Sequence, residues 1–488
     1  MYQEDLNRKV ERHEDAGTSE IIPPNNIQNR IVLSYEDFIK RKSQLGGEYG
    51  FDPLWMPDFL FDFQKELLTW SIKKGSSGIF ADCGLGKTPM QLVWAENIVR
   101  KTNKNVLILA PLAVSPQTQK EADKFGVDIG RSKDGTIKKK ITITNYEKLD
   151  HFNPDDFIGV VADESSILKN FNGVRRKSIT EFLKKMPYRL LCTATAAPND
   201  YIELGTSSEA LGCMGYMDML SMFFKNNQSN CALKTKYRRF GDHMPLWRFK
   251  HHAEEPFWRW VSSWARAVRK PSDLGYNDDD FILPKLIVQE TTIKYSRPFD
   301  GRLFVEPAYT LAEQREERRA TIRERCEAVA QKINGETALI WCHLNDEANL
   351  LEKIIPGAKQ VKGADSDEKK EKTFMDFSNG DLKILITKPK IGALGMNWQH
   401  CSHVFFFPSH SYEQYYQAVR RCWRYGQKND VTVDIITTEG EFKVLANLKR
   451  KSKAADQMFE QLTYHMRNVL DIKTTERKIA NVEVPSWM

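Results

Sequence analysis

Residues 78–88 read Gly78-Ile79-Phe80-Ala81-Asp82-Cys83-Gly84-Leu85-Gly86-Lys87-Thr88. An apolar run of strand length ends at Ala81, a loop with two glycines follows, and a stretch of helical periodicity opens at Lys87. Glycines at 84 and 86 let main-chain N–H groups turn inward around phosphate oxygens. Lys87 then supplies a point charge to the β and γ phosphates, and the Thr88 hydroxyl is suited to ligate Mg²⁺. The strict pattern has Gly where Ala81 stands, but the strand before and the helix after supply the required context. The unit predicts a phosphate-binding loop made by Cys83, Gly84, Leu85, Gly86, Lys87 and Thr88, with ATP and Mg²⁺ as its ligands.

Around this unit, from about 59 to 200, short apolar runs at 78–81, 106–110, 141–144, 158–162 and 189–193 alternate with helix-length stretches such as 87–100 and 116–125. Continuous Val/Ile/Leu runs separated in this way predict a parallel sheet covered on both faces. The same alternation returns after Pro284, with strands at 338–342, 359–361, 384–387, 404–407 and 431–436 and helices at 345–355, 366–378 and 411–423. Between the two runs, residues 201–280 are rich in Met and Trp at helical spacing and predict a helical insertion packed on a neighbouring lobe.

The organisation expected is therefore a polar lead-in at 1–50, a first α/β lobe at 51–200, the insertion at 201–280 and a connector with a charged helix at 281–335. A second lobe at 336–440 and a basic helical tail at 441–488 follow. The chain has 488 residues, enough for two to four domains, and 41% hydrophobic against 28% charged residues marks it as globular rather than disordered. Apolar runs stop far short of the roughly 20 residues a membrane span needs. The first residues lack the basic-then-apolar order of a secretory signal, so a cytoplasmic location is expected, in a prokaryotic cell or one hosting a phage. The eight cysteines include no C-x-x-C pair, so neither a zinc site nor a disulfide framework is indicated. A net charge of +7 permits nucleic-acid binding and equally serves solubility.

A second element carries chemistry. Residues 158–164 form an apolar strand ending in Asp163-Glu164, at the strand end where open α/β sheets place their reactive groups. Asp163 is suited to hold Mg²⁺ and Glu164 to orient and deprotonate an attacking water. Two acids in this place also suit a cap on the next helix. Paired with the loop at 81–88, they point to ATP hydrolysis.

These two elements resemble motifs I and II of superfamily-two helicases. Gln417-Ala418-Val419-Arg420-Arg421-Cys422-Trp423-Arg424-Tyr425-Gly426-Gln427 resembles motif VI of their Swi/Snf-type branch, Gln-x-x-x-Arg-x-x-Arg-x-Gly-Gln. The resemblance implies two RecA-like lobes, with Arg421 and Arg424 reaching across the cleft to charge that develops on the γ-phosphate. Arginines so spaced also suit a solvated ridge or a phosphate-backbone contact. Further stretches are similar to the family in its own order. They are Phe61-Asp62-Phe63-Gln64, implying adenine recognition by Gln64, and Leu109-Ala110-Pro111 of motif Ia. Thr144-Asn145-Tyr146-Glu147 matches a strand-binding segment, Thr193-Ala194-Thr195 motif III, and residues 392–397, with Gly395 and Asn397, motif V. Nucleotide binding is thereby implied for Gly395 and Gln427. Nucleic-acid contact or coupling is implied for Pro111, Asn145, Tyr146, Thr193, Thr195 and Asn397. The family's Asp-Glu-Met before Gly-Leu-Gly is replaced here by Ala81-Asp82-Cys83.

The expectation is a monomeric ATP-dependent translocase on DNA, double-stranded because the Swi/Snf-type resemblance favours duplex tracking, and sequence-tolerant. No membrane is involved, and 201–280 or the tail offers a surface for a protein partner. An RNA helicase shares the same parts, and a nucleotide-gated clamp or scaffold in a repair, restriction or defence assembly is the alternative of another class.

Overall fold

The apolar run leading into the phosphate loop is strand β1 (Ser76–Ala81), every residue of which is buried. A strand covered on both faces needs neighbours on each side and helices above and below, and the rest of the first lobe supplies them. The computed structural model describes residues 49–111, 114–169, 173–227, 247–294, 311–392 and 396–479. Lobe 1 runs α1 (Asp62–Lys74), β1, α2 (Lys87–Thr102), β2 (Asn105–Ala110), α3 (Ser115–Phe125), β3 (Ile129–Arg131) and β4 (Ile141–Asn145). It continues through β5 (Phe157–Asp163), α4 (Val174–Lys184) and β6 (Tyr188–Cys192).

The segment after β6 departs from the expected insertion. It forms α5 (Leu204–Leu211), α6 (Tyr216–Phe223), an antiparallel pair β7 (Phe224–Asn226) and β8 (Trp247–Phe249), α7 (Glu254–Trp264) and β9 (Ala265–Val268). β9 pairs in parallel with β1, so the lobe 1 sheet has seven strands in the order β3-β4-β2-β5-β6-β1-β9. The aromatic helix α7 buries Phe257, Trp258, Trp260 and Trp264 in the same core as Phe80 of β1 and Leu107 of β2. The Met and Trp periodicity of this region is the signature of one face of lobe 1.

Lobe 2 comprises β10 (Leu286–Ile293), α8 (Leu311–Ala320), α9 (Ile322–Lys332), β11 (Ala338–Trp341), α10 (Asn345–Ile354), β12 (Ala358–Gln360), α11 (Asp367–Asn379) and β13 (Ile384–Thr387). After these come α12 (Pro389–Gly392), β14 (His403–Phe406), α13 (Tyr412–Val419) and β15 (Val431–Thr438). Its six strands are ordered β10-β15-β14-β11-β13-β12, and every adjacent pair is parallel. The connector expected at 281–335 thus gives lobe 2 an edge strand and two helices. The tail is α14 (Phe442–Ile479), 38 residues long. It leaves lobe 2 after β15, yet Met458, Phe459 and Leu462 are buried in the lobe 1 core with Trp258 and Trp264.

Two registers position the site. Ala81 lies opposite Val268, and the Asp82 N–H donates to the Val268 carbonyl at 2.9 Å, which fixes where the phosphate loop leaves the sheet. Asp163 lies opposite Cys192, so the next residues of the two strands, Glu164 and Thr193, emerge side by side.

Candidate functional site

The loop between β1 and α2 turns through two left-handed glycines, Gly84 at φ 90° and Gly86 at φ 74°. A Cβ at Gly86 would stand 2.3 Å from the Gln64 amide nitrogen, so that side chain closes the loop from behind. Gln64 donates to the Leu85 carbonyl at 2.9 Å and accepts from the Phe61 N–H at 3.0 Å. Both ends of its amide are therefore engaged by main chain. In this arrangement Gln64 braces the loop, and one amide N–H and one oxygen lone pair are left over. Lys87 curls over the loop and donates to the carbonyls of Ala81 at 3.0 Å and Asp82 at 3.2 Å.

Asp163 ends β5, and its carboxylate accepts from Gln91 of α2 at 2.6 Å. Gln91 lies four residues beyond Lys87, one turn along the same face, which is the signal that locates it in the sequence. Burial, reinforced by the neighbouring Glu164 carboxylate, pushes the Asp163 carboxyl up to about 6. Glu164 adopts φ 49°, a left-handed conformation that a non-glycine residue takes only where its surroundings impose it. Its carboxylate accepts from the Thr193 hydroxyl at 3.3 Å, and the same hydroxyl accepts from the Thr195 N–H at 3.0 Å. The Tyr146 hydroxyl donates to the Asp163 carbonyl at 2.6 Å, so this ring supports the acid pair from behind while also lining the cleft between the lobes.

The arginines come from lobe 2. The helix expected at 411–423 ends at Val419, and Arg420 to Gly426 form turns, with Gly426 at φ 91°. The Trp398 N–H takes the Arg421 carbonyl at 3.0 Å, which draws the chain out of helical register. Arg421 is buried and donates to the carbonyls of Gln417 at 3.0 Å and Met396 at 3.2 Å, with the Cys83 sulfur of lobe 1 at 3.8 Å. Arg424 donates to the Met396 carbonyl at 3.4 Å, while its buried Nε has no partner. Among the described residues neither has an ion-pair partner. Burial pulls Arg424 down to about 10, with Arg421 adding repulsion, and that still leaves it charged at neutral pH.

These groups meet. Cys83, Gly84, Gly86, Lys87, Thr88, Asp163, Glu164, Arg421 and Arg424 line one cavity of about 130 Å³, joined by Gln117 and Glu121 of α3. Two guanidinium groups without an ion-pair partner among the described residues, a lysine and loop N–H groups make a donor set for an anion. Thr88 and Asp163 add the oxygen ligands that Mg²⁺ takes alongside phosphate and water. A pocket for a whole small molecule runs to roughly 300–1,000 Å³, so this cavity has the size for a phosphate-like anion and a small cation rather than for a whole nucleotide. Leu85 is fully buried and contributes its carbonyl to Gln64. Gln427 does not join the cavity. Its amide donates to the carbonyls of Cys401 at 3.0 Å and Cys422 at 3.4 Å and accepts from Asn429, shaping the turn after the arginines. Gly395 lies outside the described residues.

A second cavity of about 810 Å³ opens between the lobes. Pro111, Tyr146, Lys120, Arg131 and Lys133 face it from lobe 1, and Lys370, Lys390, Met396 and Asn397 from lobe 2. Glu164 lines both cavities. Asn145 and Thr195 are buried, with Asn145 Oδ1 and Thr195 Oγ1 lacking partners, and neither lines the larger cavity. Two participants were not signalled by any motif. Asp82 of the loop and Arg420 of lobe 2 pair across the interface, and adjacency to known motif positions is the only trace they leave in the sequence.

Comparison with known proteins gives the following. Residues 320–426 match the helicase conserved C-terminal domain. Protein p41 of Acyrthosiphon pisum secondary endosymbiont phage 1 is 22% identical over 444 residues, 78% of this chain and 93% of that protein. The bifunctional helicase and thymine dioxygenase JBP2 of Leishmania tarentolae is 37% identical over 95 residues, which span 19% of this chain and 9% of that protein. Among solved structures, the Sulfolobus solfataricus SWI2/SNF2 ATPase core in complex with dsDNA aligns with 17% identity and a TM-score of 0.38, covering 89% of this chain and 99% of that one. Among the described residues no helix is long and apolar enough to cross a membrane.

Proposed function

We propose that this protein is an ATP-driven translocase of the Swi/Snf-type branch of superfamily-two helicases, acting on double-stranded DNA. The observation that carries the reading is the cavity in which the Lys87 loop and the Asp163–Glu164 pair of lobe 1 face Arg421 and Arg424 of lobe 2. ATP is the substrate such a set fits. Lys87 and the loop N–H groups neutralise the phosphate chain, and Thr88 and Asp163 are placed to hold Mg²⁺, whose charge offsets that of the phosphate oxygens. Glu164 orients the attacking water and takes its proton, with Thr193 fixing the carboxylate. Arg421 and Arg424 stabilise the charge on the transferred phosphoryl group.

Two features of the geometry support coupling to movement. The catalytic set is complete only when the lobes are apposed, and Glu164 faces both the phosphate cavity and the larger cleft. Lysines and Arg131 on that cleft suit a phosphodiester backbone, which implies sequence-tolerant, salt-sensitive binding. The test is steady-state ATP hydrolysis with duplex DNA, single-stranded DNA, RNA or no nucleic acid, with Lys87→Ala as control. Stimulation by duplex DNA that Lys87→Ala abolishes is expected. Stimulation by RNA alone would select an RNA helicase, and tight binding without turnover would select a clamp.

A further inference from the structure

The three arginines of the 420–424 turn are treated differently by the fold. Arg421 and Arg424 face the phosphate cavity, whereas Arg420 and its partner Asp82 do not line it. Asp82 and Arg420 are each only 3% exposed. One carboxylate oxygen of Asp82 meets the Arg420 guanidinium, and the other accepts from the Tyr416 hydroxyl and from the Cys83 N–H. Arg420 also donates to the Trp423 carbonyl at 3.3 Å and lies 4.6 Å over the Trp423 ring. Asp82 is thus a lobe 1 residue whose side chain is held by lobe 2. Its carbonyl, at the same time, accepts from Lys87, the group that must move to reach a phosphate.

We propose that Asp82 and Arg420 are a positioning pair that transmits the state of the phosphate-binding loop to lobe 2 and sets Arg421 and Arg424 at the phosphates when the lobes close. The inference rests on the ATPase reading above. Its physical basis is the selective neutralisation of one guanidinium. The protein's own carboxylate anchors Arg420, and the two guanidinium groups beyond it are left for the ligand. Separating the lobes breaks the pair and hydrates both groups, whereas removing one partner by substitution leaves the other buried and uncompensated in the closed state. When Lys87 leaves the Asp82 carbonyl for a phosphate, the residue that grips Arg420 is released on its main-chain side, so loop and turn move together.

The experiment compares Asp82→Asn, Arg420→Gln, their double variant and Asp82→Glu in DNA-stimulated ATP hydrolysis, with kcat and KM measured separately. Each single variant is expected to lower kcat by about tenfold, with the double variant no worse than the poorer single one. Asp82→Glu keeps the charge and restores most of kcat. Losses that multiply in the double variant, or a rise in KM at unchanged kcat, would overturn the proposal. Lobe separation is read in parallel by energy transfer between dyes at the exposed positions Lys104 and Lys372. Asp82→Asn is expected to shift the pair toward larger separation both with and without a non-hydrolysable ATP analogue; an unchanged distance would sink the latch even for a protein that does not turn over. If the unaltered protein hydrolyses no ATP with any nucleic acid, the functional reading falls and the distances alone judge the pair. If it hydrolyses ATP and the variants behave additively, only the pair falls.

Discussion

The hydroxyl of Thr193 lies 3.3 Å from a carboxylate oxygen of Glu164, and the same hydroxyl accepts the Thr195 N–H at 3.0 Å. The link joins the end of β5 to the end of β6 and holds a glutamate whose backbone is left-handed at φ 49°. A base kept in so restricted a pose has little freedom to adapt. Glu164→Gln is expected to lower ATP turnover by about a hundredfold or more while ATP affinity, measured by nucleotide titration, stays within a few-fold of the unaltered protein. Thr193→Val removes the hydroxyl but keeps the shape, and a smaller loss in kcat at constant KM is expected. A rise in KM alone would place Glu164 in ground-state binding.

Asp163 carries a cost when nothing cationic is bound to it. Its folded-state value of about 6 lies above the ordinary 3.8, so the native state holds the proton more tightly than the unfolded chain. The stability this group contributes is complete below pH 3.8 and is lost as pH rises through 6. At neutral pH the folded protein therefore bears a buried carboxylate beside Glu164. Asp163→Asn is expected to stabilise the nucleotide-free protein at pH 7 to 8 by about 1–3 kcal/mol and to abolish Mg²⁺-dependent ATP turnover. Calorimetry at pH 7.5 checks the first part, and a lower melting temperature in the variant would count against the argument.

The sequence makes the phosphate loop and the acid pair legible because each is local. A glycine turn, a lysine and two carboxylates occupy consecutive positions after a buried strand, and the strand runs at 76–81, 105–110 and 157–163 match the apolar runs closely. Tertiary choices are harder to read. The four-residue strand β9 carries Ala265 to Val268, too short to stand out after an aromatic helix, yet it completes the lobe 1 sheet beside β1. The helix after Ser411 stops at Val419 because the Arg421 carbonyl is claimed by Trp398, a partner 23 positions earlier that no periodicity reveals. Gln64 and Gln427 are amides whose partners are main-chain carbonyls and N–H groups, and side-chain identity alone does not separate that role from ligand binding. The Asp82–Arg420 pair joins residues 338 positions apart, and only folding brings them together.

His343 gives a pH dependence of the opposite sign. Burial, with repulsion from Arg318, pulls its imidazole down from 6.5 to about 4, and its Nε2 has no hydrogen-bond partner. The folded state thus binds a proton less readily than the unfolded chain. The associated stability is complete above pH 6.5 and is lost as pH falls toward 4. Urea unfolding at pH 7 and pH 5 is expected to show a drop of about 2 kcal/mol from this group. His343→Gln should flatten that difference, and an unchanged difference would remove His343 as its source.

The tail helix α14 joins the two lobes by burial and by charged contacts. Rising at about 1.5 Å per residue, its 38 residues extend roughly 57 Å. Near its start Leu448 packs with Tyr412 of lobe 2, whereas Phe459 and Leu462 sit in the lobe 1 core. Between them Lys451 donates to Asn199 of lobe 1 at 2.8 Å and to the His410 carbonyl of lobe 2 at 2.7 Å. Arg269 at the end of β9 pairs with Asp456 at 2.8 Å and lies 4.5 Å over the Phe459 ring. Phe459→Ala removes a ring buried among lobe 1 residues and is expected to destabilise the protein by about 3–5 kcal/mol. Because the helix belongs to lobe 2 in sequence but to lobe 1 in packing, hydrogen exchange should accelerate in α7 and β9 and leave β11 and β13 protected. Acceleration confined to lobe 2 would show that α14 does not hold lobe 1.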